Sequence, residues 1–194
     1  MISIVEKSLR FDFPDDWDAT KFDEWSYYRG QFSRVGDAKL GCNTEGCSGI
    51  IRCPICQAER VAGNRGVDIV AIDPQAICWL IEIKDYRSTR ETRFAPLAEA
   101  VTLKVRDTLG CLSAARLNAS GGEREIAQRA ISCTGLRIVL HLETPPTHSP
   151  LLAPAKQRAD VLQRLRQFVK PIDPRPRVVS MTDREGLPWS VTEV

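Results

Sequence analysis

Apolar and polar positions alternate most clearly in the middle of the chain. Val67 to Asp73 reads VDIVAID and Ile77 to Tyr86 reads ICWLIEIKDY, with Asp73-Pro74-Gln75 between them. β-Branched and aromatic residues in two such runs around a turn predict a β-hairpin. A three-and-four spacing follows Pro96: Leu97, Val101, Val105, Thr108, Leu112 and Ala115 mark one face of a long helix that stops before Gly121-Gly122. Residues 136–143 (LRIVLHLE) predict a central strand. Residues 155–170 predict an amphipathic helix with Val161, Leu162, Leu165, Phe168 and Val169 on its buried side. RVVSM at 177–181 predicts a last strand, and residues 1–15 offer short extended pieces. From Thr20, read as an N-cap, a helix carrying Phe22, Trp25, Arg29 and Phe32 is expected. This order predicts a mixed α/β fold, a central mixed sheet flanked by helices.

Composition narrows the class. The chain has 194 residues, 43% hydrophobic and 27% charged, the profile of a globular protein whose core needs no disulfide staples. No apolar run reaches the length of a membrane span, and the first residues lack a secretory pattern, so a cytoplasmic protein with no membrane partner is expected. The net charge of +2 is unevenly spread. Residues 1–24 hold seven acids against three bases, and residues 124–178 hold ten bases against four acids. Two solvated faces, or an anionic-ligand site on the basic half, account for this equally well. Arg158, Arg164, Arg166 and Lys170 on the last helix are the candidate nucleic-acid contacts.

The hairpin carries candidate chemistry. A turn centred on Gln75 pairs residues whose numbers sum to 150, which sets Asp68 opposite Glu82. Facing side chains on paired strands stand about 5 Å apart. Two carboxylates that close repel unless a cation lies between them, and a hard divalent ion meets that need with oxygen ligands. Lys84, one pleat along, is placed to hold a phosphate oxygen or polarise a water. The competing reading is a surface hairpin bearing a Glu82–Lys84 salt bridge. The apolar neighbours Trp79, Leu80, Ile81 and Ile83 make the strand central, where charges are costly unless paired or functional.

Asp68 followed by Glu82-Ile83-Lys84 on the next strand resembles the PD-(D/E)XK nuclease superfamily, with its restriction-endonuclease-like fold. The likeness covers roughly residues 20–143 and puts a first strand near Ala58–Ala62; Val67 stands where the motif has proline. It implies Mg²⁺ (or Mn²⁺) held by Asp68, Glu82 and the Ile83 carbonyl. Lys84 would position the attacking water, and Glu24 would be the first-helix acid. It implies a metal-dependent endonuclease acting on DNA, in phage defence or restriction, as a homodimer or a subunit of a larger complex.

Residues 41–66 read as a loop-rich insert within one domain spanning 1–194. Four of the seven cysteines fall there as C-x4-C-x5-C-x2-C: Cys42, Cys47, Cys53 and Cys56. Four thiolates suit tetrahedral Zn²⁺, so a structural zinc loop over 41–58 is expected, an iron–sulfur cluster or a redox C-x-x-C being the alternatives. Cys78, Cys111, Cys133 and His141 are expected in the core. The rival functional reading is a non-catalytic, zinc-containing nucleic-acid-binding module or structural subunit.

Overall fold

The computed structural model describes residues 1–34, 63–88, 96–145, 154–184 and 186–194. Cys42, Cys47, Cys53 and Cys56, with the 41–58 insert and the strand expected near Ala58–Ala62, lie outside the described residues. The described chain is mixed α/β with four α-helices and two sheets. The first sheet joins β1 (Ile2–Glu6), β2 (Leu9–Phe13) and β8 (Ser190–Glu193) in the order β1-β2-β8. The second runs in sequence order through β3 (Asp18–Lys21), β4 (Ile69–Ile72), β5 (Ile77–Asp85), β6 (Gly135–Glu143) and β7 (Arg177–Val179). Its first three strands are antiparallel; β5, β6 and β7 are parallel. The parallel steps need crossovers. α2 (Leu97–Asn118) and α3 (Gly121–Ile131) supply the first, and α4 (Pro154–Val169) supplies the second.

The five-stranded sheet is apolar on both faces because both are covered. Val70, Ile72, Cys78, Leu80, Ile138 and Leu140 pack with Val101, Val105, Leu112, Val161 and Leu165 of the helices. Ile69, Ala71, Trp79, Ile81, Ile83 and Val139 pack with Ile4, Leu9, Phe11, Phe13 and Trp189 on the other side. The result is three layers, with the small sheet opposite the helices.

The hairpin register is the expected one: Ile69 pairs with Ile81, Val70 with Leu80, Ala71 with Trp79 and Ile72 with Cys78. The Asp73 carboxylate secures the turn, accepting from the backbone N–H of Gln75 and Ile77 and from Trp79 Nε1. Cys78 and Cys111 are buried, and Cys133 is half-buried. His141 is buried as expected, its Nε2 2.9 Å from Glu143 Oε1.

Two expectations are corrected and one is extended. Thr20 does not cap a helix: it lies in β3 opposite Val70, and its Oγ1 accepts from Trp25 Nε1. α1 (Ser26–Gly30) starts later and is a single short turn, after a 3-10 turn over Phe22–Glu24. α2 stops at Asn118, before Gly121-Gly122 as expected, and a helix not foreseen, α3, begins at Gly121, its backbone redirected by a φ of 56° there. Phe168 does not join the buried side of α4: Val161, Leu165 and Val169 fill that stripe, and Phe168 is 45% exposed.

Candidate functional site

The site is built where β4, β5, α2 and the 3-10 turn meet. The chain reaches β4 along α2: Val67 N–H donates to Thr108 Oγ1 at 3.0 Å and Arg65 N–H to Asp107 Oδ2 at 2.9 Å. Gly66 permits this approach, since a Cβ there would stand 2.8 Å from the Phe22 ring. The next residue is Asp68, whose carbonyl accepts from Phe22 N–H at 2.9 Å.

Asp68 and Glu82 both point to the helix side of the sheet, and both are buried. One Asp68 oxygen, Oδ2, accepts the Ile83 backbone N–H at 2.6 Å. Its other oxygen, Oδ1, is 3.5 Å from Lys104 Nζ. That ammonium also lies 2.7 Å from Glu82 Oε1 and 2.8 Å from Oε2. Lys84 Nζ bonds Glu82 Oε1 as well. Glu82 is 1% exposed. Burial pushes its carboxyl up, as does Asp68, while Lys104 and Lys84 oppose the shift. Burial works against the charge of Lys104, but Glu82 and Asp68 outweigh it and hold the ammonium above its ordinary value.

Asp23, on the 3-10 turn, also faces this cluster. Its Oδ1 is buried and has no hydrogen-bond partner among the described residues. Burial, then the charges of Asp68 and Glu6, raise its carboxyl above the usual range. Glu24 is placed differently. It is half-exposed, bonds Lys21 Nζ at 2.9 Å and stands 3.8 Å from Arg29, and Lys21 holds its carboxyl low.

The hairpin thus brings Asp68, Glu82, the Ile83 backbone and Lys84 together, with Glu24 turned to a neighbouring ion-pair set. Sequence reasoning missed Lys104 and Asp23. Lys104 shares a helix face with Thr108, four residues on, but nothing in one sequence pairs position 104 with 82. Asp23 adjoins the chosen Glu24, and only the tight 3-10 turn decides which of the two points at Asp68. The gap between Asp68 and Glu82 was expected to suit Mg²⁺, but the Lys104 ammonium bridges it. As arranged, these donors do not fit a divalent ion. Among the described residues no group of three or more His, Cys, Asp or Glu is placed to hold a metal.

The basic helix separates its four candidates. Arg164, Arg166 and Lys170 are exposed. Arg158 is half-buried, with NH2 3.2 Å from Asp183 Oδ2, so it ties α4 to the segment after β7.

No family model and no solved structure matches the chain. It is 31% identical, over 213 aligned residues, to a cysteine–tRNA ligase of Neisseria meningitidis serogroup A / serotype 4A (strain DSM 15465 / Z2491). The match covers 99% of this chain and 30% of that protein, so the chain spans about a third of its relative's length. This corrects the resemblance drawn from Asp68 and Glu82-Ile83-Lys84. The likeness points away from the PD-(D/E)XK nucleases, and with them go the DNA endonuclease, the Mg²⁺-dependent phosphodiesterase and the role in restriction or phage defence. A carboxylate pair with a lysine one pleat along is a pattern that a buried ion-pair network also produces. Nothing in the match or the fold supports DNA or a second copy of the chain as partner. Among the described residues no helix is long and apolar enough to cross a membrane.

Proposed function

We propose that this chain is a tRNA-binding module of a protein that joins cysteine to its tRNA. The observation that carries the reading is the 31% identity along 99% of the chain to a protein named for that reaction. The chain matches 30% of that protein's length, as one module of a larger assembly would.

The exposed side of α4 is the proposed RNA contact. Arg164, Arg166 and Lys170 supply three cations for phosphate oxygens, and Phe168 stands exposed one turn after Arg164. An aromatic ring beside a cation lets an unpaired base stack, a contact that contributes about 1–3 kcal/mol. The cations give affinity that weakens with salt, because binding releases counterions from the backbone and the entropy gained by that release falls as salt rises. Cys42, Cys47, Cys53 and Cys56 are proposed to hold one Zn²⁺, on their number and spacing. The Asp68–Glu82–Lys84–Lys104 cluster is proposed to fix the hairpin against α2.

Fluorescence anisotropy with a labelled cysteine tRNA tests the contact surface. The wild-type chain should bind, with log affinity falling linearly against log salt. Arg164→Glu with Arg166→Glu should weaken binding at least about tenfold and make that slope shallower by about two. Phe168→Ala should weaken binding with the slope unchanged, since stacking releases no counterions. An Arg164/Arg166 reversal that leaves affinity intact at low salt would move the RNA surface away from α4.

A further inference from the structure

We propose that Lys104 is a built-in counter-ion: its ammonium stands between Asp68 and Glu82 where a divalent cation would otherwise be required, and it locks the β4–β5 hairpin to α2. Three observations carry this. Lys104 Nζ reaches both Glu82 oxygens, at 2.7 and 2.8 Å, and lies 3.5 Å from Asp68 Oδ1. Glu82 is 1% exposed, so water cannot screen its charge in place of the lysine. Asp23 also faces Asp68, with one oxygen buried and unpartnered among the described residues. Without Lys104, Glu82 would keep the ammonium of Lys84, which bonds it, while Asp68 would lose the ammonium beside its Oδ1.

The position of Lys104 is set by the fold. It lies one turn before Thr108, whose hydroxyl oxygen accepts the N–H of Val67, the residue before Asp68. α2 therefore grips the hairpin twice, once by hydrogen bond to the backbone and once by charge. Replacing Lys104 with a neutral side chain leaves an anionic, oxygen-lined gap, which is the donor set that hard divalent ions prefer. The protein then becomes one whose stability depends on such an ion.

The experiment compares the full chain with Lys104→Met, Lys104→Gln and Lys104→Arg, by thermal melts with and without millimolar Mn²⁺. Loss of the free-Mn²⁺ electron paramagnetic resonance signal reports binding. Wild type and Lys104→Arg should keep the same Tm in both buffers and take up no ion at Asp68. Lys104→Met and Lys104→Gln should melt several degrees lower without metal, regain that loss with Mn²⁺ and bind about one ion per chain. Adding Asp68→Asn to either should abolish the regain and the binding. The Gln variant keeps a polar group at 104 and serves if the Met variant does not fold. The proposal is overturned if wild type binds Mn²⁺ in an Asp68-dependent way. It is equally overturned if neither neutral variant responds to the ion.

Discussion

Asp23 shows how a single buried acid sets a pH response. Burial and the nearby Asp68 carboxylate raise its pKa in the folded chain. A carboxyl with a raised folded value holds its proton better folded than unfolded, so its contribution to stability is present at low pH and is lost as pH rises through the folded value. Asp23→Asn removes that loss. Its Tm should exceed that of wild type at neutral pH by about 2–4 °C, the shift that roughly 1 kcal/mol gives in a chain of this size. The two melting curves should converge as pH falls into the carboxylate range. A gain that persists unchanged at low pH would trace to packing and not to the charge. Asp68 behaves oppositely on truncation: its Oδ2 accepts a buried backbone N–H from Ile83, which Asp68→Ala would leave unsatisfied.

The zinc loop is the element whose existence rests on spacing alone. Four thiolates within fifteen residues predict about one zinc per chain by elemental analysis. Cys53→Ser should remove that metal and lower Tm, because a metal held only by the folded segment contributes its binding free energy to folding. A chain free of zinc and iron would dissolve the assignment. Among the described elements, the β4–β5 hairpin was legible to the residue, because alternation fixes the faces and Asp73-Pro74 fixes the turn. α2 and β6 were legible for the same kind of reason, a long and consistent period. β3 was not. Thr20 followed by an acid three residues on has the pattern of a helix start, and only pairing with Val70 across the sheet makes it a strand. Phe168 was misread because Leu165 and Val169 flank it, yet the helix buries a stripe too narrow for all of them. The same misreading hid the exposed aromatic group one turn after Arg164.

Over the described residues, the N-terminal strands and basic α4 belong to different layers. β1 and β2, from the acidic end, lie in the sheet that covers one face of the central sheet, and basic α4 lies on the other. Arg87 fastens the first layer to the end of β5, bonding Asp85, Ser8 Oγ and Glu193. The acids of the small sheet are paired with bases, Glu6 with Lys21 and Asp12 with Arg10. The reading of a tRNA module against that of a DNA nuclease is decided most directly by one competition. Labelled cysteine tRNA bound to the chain is challenged with unlabelled cysteine tRNA or with duplex DNA of matched phosphate number, at one salt concentration with Mg²⁺ present. The account predicts that unlabelled tRNA displaces the label at lower concentration than the DNA does, and that the DNA is recovered uncut. DNA that competes better than tRNA, or that is cleaved, would contradict it.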